Sequence, residues 1–450
     1  MKTKKSKTNL FICLFACFPG FTQMAGGQVM DSVLTLDDCI GMSYANNFKL
    51  KQLSMETEKE KLRFKEMKST GLPQISASVS VEDYFDIPVT MVSGDIFGQP
   101  GATLPIQLGT KFNSGAGIQF GQMLYNASYF TSLKLFKKSC EISELNYLKG
   151  KEEMAYNVSK IYSFIQLSEL QLALLDSNIV AFANVLIYSE QHFLNGFISN
   201  SDLSRVKVAI NNLEAEKENM MTMFDQQVNM LKYLAGIEPN QPVKLTDLTD
   251  AREITPVLID SALSSHIDIL LLDRQREQAE LNLKLIRSGN VPSVTAYAGY
   301  SYQAQREAFD LFSDADIWYR TSFAGIKLTI PICEGGKDRH RAKLARTEVD
   351  QGVIAREDLK SELYMNFLNT SAKLNSGRLI ESKMKDNMIL TENIFKVINE
   401  QYGQGLKSLT DVLNAQAECN TSRISWLQAL LQVKLSELEL VKINGGFLNK

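Results

Sequence analysis

Hydrophobic positions along this chain follow two different periods. Between 154 and 186 the residues Met154, Val158, Ile161, Ile165, Ser168, Leu172, Leu175, Ile179, Phe182 and Leu186 alternate steps of four and three. Only Ser168 is polar, so this is a heptad seam, the stripe along which a long helix packs on another. Met384, Met388, Thr391, Phe395, Ile398 and Tyr402 keep the same step. Proline, which lacks the amide proton and clashes with the preceding turn, is absent between Pro105 and Pro239 and after Pro331. Both tracts are therefore free to form very long helices. One running from near 130 to near 195 reaches about 100 Å, and a rod of that length needs long neighbours.

Four other stretches alternate with period two. Ile75, Ala77, Val79, Val81 and Phe85 fall on one face, with Ser76, Ser78, Ser80, Glu82 and Tyr84 on the other. Ala116, Ile118, Phe120 and Leu124 alternate likewise, as do Val294, Ala296, Ala298, Tyr300 and Tyr302. Ile326, Leu328 and Ile330 bracket Lys327 and Thr329. The pattern predicts strands at about 74–87, 113–126, 292–304 and 318–332, paired as two hairpins. The first hairpin has a long Gly- and Pro-rich loop over about 86–112. The second turns near 304–317. Strands of this length suit a transmembrane β-sheet; a solvated sheet on a soluble domain shows the same alternation.

The punctuation is written twice. HFLNGFISNSDL and QYGQGLKSLTDV place Gly196 and Asp202 against Gly405 and Asp411, an offset of 209 in both cases (405 − 196 and 411 − 202). GIQFGQMLYN at 117–126 matches GIKLTIPICE at 325–334, and LPQISASVSVEDY at 72–84 matches VPSVTAYAGYSY at 291–302. The order implies an internal duplication. A first repeat is expected over 28–245, with a helical hairpin tip at 194–202. A linker covers 246–255, and a second repeat covers 256–450, with its tip at 403–411. Gly196 and Gly405 each follow a periodic tract, as a helix-terminating glycine does. The next helices are expected to begin near Ser201/Asp202 and Thr410/Asp411, whose side chains can cap open amides.

Composition narrows the class. Net charge is −3 and 44% of residues are apolar, which argues against a nucleic-acid binder. The start, MKTKKSKTNLFICLFACFPGF, puts lysines before an apolar run, and Ala25-Gly26-Gly27 supplies small residues for cleavage. Residues 1–27 read as a secretory signal peptide. Leu14-Phe15-Ala16-Cys17 is a loose lipoprotein box, so lipidation at Cys17 is an alternative. After the leader no stretch is expected to be uninterruptedly apolar long enough to form a transmembrane helix. Cys39, Cys140, Cys333 and Cys419 lack ligand spacing and read as buried small residues. His192, His266 and His340 stand apart. No Walker loop, nucleotide fingerprint or serine elbow is present, so no enzyme, cofactor or metal is expected.

Four strands cannot close a barrel, and an open edge in lipid leaves backbone groups unpaired at several kcal/mol each. If the strands cross a membrane, other copies must complete the sheet.

At this point the chain resembles the TolC-like outer-membrane efflux proteins (outer membrane factors). LTLDDCIGMSYANNFKLKQ at 34–52 looks like the family's opening helix. LPQISASVSV and VPSVTAYAGY resemble its strand entries, PICEGGKDRHRAKL at 331–344 its strand-to-helix signature, and the two glycine turns its periplasmic tips. An aromatic is usual in the family where Cys333 stands, and glycines are frequent near Ala127-Ser128. The resemblance implies a mixed α and β membrane protein. Three protomers would give four strands each to a twelve-stranded outer-membrane β-barrel, which continues into a long periplasmic α-helical barrel of coiled coils. It implies a passive exit duct for a tripartite efflux or type I secretion system, in the cell outer membrane and the periplasm. The expected partners are two further copies, a periplasmic adaptor (membrane fusion) protein, an inner-membrane transporter and outer-membrane lipid. By position, Asp411 would be the aperture carboxylate, with Asn414 where the family's well-studied member has a second aspartate. Asp202, Tyr402 and Lys407 would link the coiled coils. Plain capping competes with gating for Asp202 and Asp411, a surface role for Lys407, and the last knob of the seam for Tyr402. A periplasmic coiled-coil adaptor is the alternative function.

Overall fold

The structure, a computed structural model, describes residues 33–246, 266–310 and 318–447. The expected signal peptide, Cys17 and nearly all of the expected 246–255 linker lie outside them. In chain order the elements are α1 (Leu36–Asn46), α2 (Phe48–Ser69), β1 (Gln74–Asp83), β2 (Val89–Ser93), β3 (Thr103–Gln107), β4 (Phe112–Tyr125), α3 (Ala127–Leu194), α4 (Asn200–Ala235), α5 (Ile267–Ser288), β5 (Ser293–Arg306), β6 (Tyr319–Thr329), α6 (Lys337–Gly403) and α7 (Leu409–Ile443).

Two rods dominate. α3 has 68 residues and α6 has 67, each about 100 Å at the helical rise. Asn126 starts α3 by accepting the Tyr129 amide. Gly335 and Gly336, at φ 62° and 82°, turn the chain into α6. Shorter helices return along them, α4 along α3 and α7 along α6. The seam is buried at Met154, Val158, Ile165, Leu175 and Phe182, and half-buried at Ile161, Leu172, Ile179 and Leu186. Its polar member, Ser168, donates to Gln227 Oε1 of α4 at 2.8 Å, which satisfies the hydroxyl. α3 also holds an 18-residue window with mean hydropathy 1.7, long and apolar enough by composition to cross a membrane though not uninterruptedly apolar. The window belongs to a rod packed on other helices: Leu175, Phe182 and Val185 sit in one core with Val206 of α4, Phe395 of α6 and Val412 of α7.

The sheet stands at the opposite end of the rods from the glycine turns. Its order is β1-β4-β5-β6, antiparallel throughout. Register puts Ile75 opposite Phe120, Val79 opposite Ala116, Ile118 opposite Tyr300, and Ala296 opposite Ile326. These residues form one continuous apolar face. Ser76, Ser78, Gln119, Gly117, Ser301 and Thr321 form the other. The 86–112 segment is not a plain loop. β2 and β3 pair within it as a separate two-stranded ribbon, Val89 opposite Gln107 through Ser93 opposite Thr103. Pro105 is tolerated there because an edge strand has no second partner to lose.

Near mid-height the chain start and the end of the first half are tied together. Leu34 and Leu245 form a parallel bridge. The Tyr162 hydroxyl reaches the Leu34 carbonyl at 3.2 Å and Thr246 Oγ1 at 2.6 Å. Asn47 Nδ2 donates to the Leu234 carbonyl at 2.9 Å. Leu50, Met154, Val158, Ile165 and Leu231 fill the core beneath.

Candidate functional site

The two glycine turns share one backbone solution. Asn195 caps the end of α3 and Gln404 that of α6. Gly196 and Gly405 follow at φ 76° each, a left-handed conformation that strains any side chain. The Gly196 amide bonds the Phe193 carbonyl and the Phe197 amide that of His192. The Gly405 amide bonds Tyr402 and the Leu406 amide bonds Gln401. This is the Schellman closure of a helix C-terminus.

The next helices begin earlier than the sequence suggested. The N-caps are Ser199 and Ser408, not residues near Ser201/Asp202 and Thr410/Asp411. Asp202 and Asp411 are the third helical residues, and each closes a capping box. Ser199 N donates to Asp202 Oδ2 at 3.2 Å while Asp202 N donates to Ser199 Oγ at 3.2 Å. Ser408 N donates to Asp411 Oδ2 at 3.0 Å while Asp411 N donates to Ser408 Oγ at 3.2 Å. Reciprocal bonding satisfies two open amides per helix. The Ser199 hydroxyl and amide hold the Asp202 carboxyl below its usual range, with Arg205 a lesser help. The Ser408 amide and hydroxyl do the same for Asp411, with Lys407 a lesser help.

The other expected site residues separate. Tyr402 is 2% exposed. Its hydroxyl bonds Ser189 Oγ of α3 at 2.8 Å, and its carbonyl lies 3.0 Å from His192 Nε2. Burial pushes the Tyr402 phenol up, and the Asp202 charge adds to that. Tyr402 is thus a knob of the seam whose hydroxyl goes to Ser189, not to Asp202. Lys407 is exposed and has no carboxylate within ion-pair distance among the described residues. Asn414 is also exposed. His192 was not expected to matter, yet its ring lies 5.3 Å from that of Tyr402 and 6.0 Å from that of Phe197. It lies three residues after Ser189 on α3, one position off the four-three seam, so no periodic signal flagged it. Phe197 and Leu406 are exposed at the ends of the turns.

The sheet is the second candidate surface. Ile75, Val79, Ile326 and Leu328 are exposed on its apolar face. The outer edges of β1 and β6 have no strand beside them among the described residues. On the polar face, aromatic rings lie over glycines. A Cβ on Gly299 would come within 2.4 Å of the Phe323 ring, and one on Gly325 within 2.8 Å of Tyr297.

At mid-height one buried carboxyl oxygen has no hydrogen-bond partner among the described residues. Glu152 of α3 is 3% exposed, and its Oε1 accepts no hydrogen bond. Burial first, then the Asp268 charge, raises its pKa to about 7, against the pull of Lys442 and Lys149. His266 caps α5 by accepting the Asp268 amide at Nδ1, and burial lowers its pKa. No group of three His, Cys, Asp or Glu side chains that could hold a metal occurs among the described residues. Cys39 and Cys419 are buried and Cys140 is half-buried, but Cys333 is exposed, contrary to its reading as a buried small residue. It follows the end of β6, on the stretch leading to the Gly335-Gly336 turn.

Residues 258–446 match the model of a family described as outer membrane efflux protein. Outer membrane protein TolC of Vibrio cholerae is 23% identical over 368 residues, covering 74% of this chain and 79% of that protein. The probable outer membrane lipoprotein SilC of Salmonella typhimurium is 23% identical over 423 residues, covering 90% and 85%. Among solved structures, CusC superposes with a TM-score of 0.74 at 16% identity, covering 91% of each chain. The outer membrane protein VceC of Vibrio cholerae superposes with a TM-score of 0.71 at 14% identity, covering 91% of this chain and 96% of its own.

Proposed function

We infer that this chain, which belongs to the outer membrane efflux protein family, is the outer-membrane exit duct of an efflux or type I secretion system. Substrate passes through it from an inner-membrane transporter and a periplasmic adaptor to the outside. The observation that carries this reading is the open sheet. Among the described residues one protomer presents four antiparallel strands, a face with exposed apolar side chains and two edges without a neighbouring strand, a state that lipid forbids unless neighbours close it. Three copies would supply twelve strands, and the same symmetry would gather α3, α4, α6 and α7 into a tube. Val180 and Ile187 are exposed on α3, where a neighbouring copy would cover them. The equivalent order of helix, two long strands, long helix and returning helix in the two halves is read as a duplicated unit, 28–245 and 256–450.

The duct does no chemistry of its own; its task is gating. We place the gate at the ends of the helical hairpins, 194–202 and 403–411. Asp411, and Asn414 one helical turn beyond it, would ring the opening, and threefold carboxylates there would favour cations. The capping box does not remove the Asp411 charge, so capping and ring formation are compatible. Lys407, with no carboxylate in ion-pair distance among the described residues, would reach a neighbouring hairpin. The adaptor reading is less well supported: it would need a small soluble β-domain, whereas this sheet exposes Ile75, Val79, Ile326 and Leu328 on one face, and the relatives are named outer membrane proteins.

Fractionation followed by planar-bilayer recording tests the reading. The protein should leave the inner membrane and the soluble periplasm, require detergent, and pass ions across a bilayer. Recovery as a detergent-independent periplasmic protein would favour the adaptor.

A further inference from the structure

One guanidinium lies deep between the two halves of the helical region. Arg423, in α7, has a side chain only 11% exposed. Its Nε donates to Glu392 Oε1 of α6 at 2.7 Å. Its Nη1 donates to Asn178 Oδ1 of α3. Asn178 is 3% exposed, and its amide nitrogen has only a distant acceptor, Asn420 Oδ1 at 3.5 Å. Three helices meet at this point. Glu392 and Arg423 belong to the second hairpin, and Asn178 belongs to the first.

The layer lies well above the turns. Asn178 precedes the end of α3 at Leu194 by 16 residues (194 − 178), which is about 24 Å along the axis. Between it and the turns, Phe182 and Phe395 stack with ring centres 6.2 Å apart. Below them stand Ser189 and Tyr402. The carboxylates nearest the turns, Asp202 and Asp411, are engaged with their own N-caps. The charged bond from one hairpin to the other is therefore not at the tip but in this layer.

We propose that Arg423, aimed by Glu392 and seated on Asn178, holds the second hairpin against α3 and sets the closed position of the helix ends. The inference rests on the duct reading. Arginine cannot shed its charge, so its buried head must keep partners. Glu392 moves with Arg423, since both lie on one hairpin, and keeps the guanidinium oriented through any swing. Asn178 does not move with them. A splaying of α6 and α7 away from α3 breaks the Arg423–Asn178 bond and leaves the Arg423–Glu392 pair intact. The contact is thus made in one position of the hairpin and absent in another, which is what a gate-holding bond requires. A hydrogen bond to a charged group contributes about tenfold or more to such an equilibrium. The direction is also fixed by the chemistry: a better acceptor at 178 tightens the closed state and an apolar residue loosens it.

The test uses the full-length protein in planar bilayers. Asn178→Leu severs the bond between hairpins and keeps Arg423–Glu392; its open fraction should rise about tenfold. Asn178→Asp offers a carboxylate to the guanidinium and should pass less current than the unaltered protein. If Asn178→Leu does not assemble, Asn178→Asp alone decides, because it predicts a change of the opposite sign. Unaltered current in both variants overturns the proposal and leaves the duct reading standing. A protein that inserts but conducts in neither its unaltered nor its altered form overturns the duct reading, and the proposal with it.

Discussion

The sheet and the rods treat apolar side chains in opposite ways. In the rods Phe182 and Val206 are 1% and 0% exposed, covered within a single chain. In the sheet Val79 and Ile326 are 78% and 71% exposed, although they lie on its more apolar face. Burial within the chain covers the inner seam of the rods and leaves outward residues such as Val180 and Leu379 exposed; in the sheet the apolar face itself is left uncovered. The polar face sharpens the point. There Phe323 and Tyr297 fold over Gly299 and Gly325, so even that side spends its aromatics on its own strands.

Substitutions on the two sides of this contrast should behave differently. The largest loss is expected inside the rods. Phe182→Ala removes a stacked, fully buried ring and should cost about 3–5 kcal/mol, read as a lower melting point in any detergent. Next comes the apolar face of the sheet: Val79→Arg should cost about 2–4 kcal/mol per protomer if the site lies in lipid. Ser78→Arg, one residue away on the polar face, should leave yield and assembly nearly unchanged. Equal losses for the Val79 and Ser78 variants would erase the distinction between the faces.

The mid-height junction should respond to pH. Glu152 binds its proton more tightly when folded, with its pKa raised from 4.5 to about 7. Between those values the unfolded chain has lost the proton and the folded chain still holds it, so stability falls as pH rises from 4.5 to about 7 and then levels off. One such group is worth roughly 3 kcal/mol over that window. Glu152→Gln should flatten this part of the melting-point profile; an unchanged slope would assign it to other groups. The smallest effects belong to the turns. Ser408→Ala opens a capping box and should cost about 1 kcal/mol. Lys407→Ala should change protomer stability by no more than about 0.5 kcal/mol, as exposed charges generally do.

Patterned features were the readable ones. Heptad steps and missing prolines marked the rods, because packing along a helix repeats every three or four residues. Alternation marked the sheet faces, because strand side chains alternate strictly. The glycines announced the turns, since a left-handed residue closes each helix. What escaped had no period. Ser199 and Ser408 were passed over as N-caps in favour of residues two or three further on, because SNSD and KSLTD each offer several polar residues able to cap. The β2–β3 ribbon was hidden by Gly and Pro in a stretch that reads as loop. Asn178, Glu392 and Arg423 lie on three helices, and nothing local to any of them names the others. His192 was dismissed for lacking ligand spacing, yet it packs on Tyr402. Cys333 was misread because lack of ligand spacing says nothing about burial, and it lies exposed between β6 and the Gly335-Gly336 turn.

The most direct test is an electron cryomicroscopy map of the full-length protein in lipid nanodiscs. It should show a closed ring of twelve strands in the bilayer, with β1 of one copy paired to β6 of the next, above a tube of long helices. A four-stranded sheet lying outside the lipid, or a ring in which β1 and β6 stay unpaired, would contradict the account.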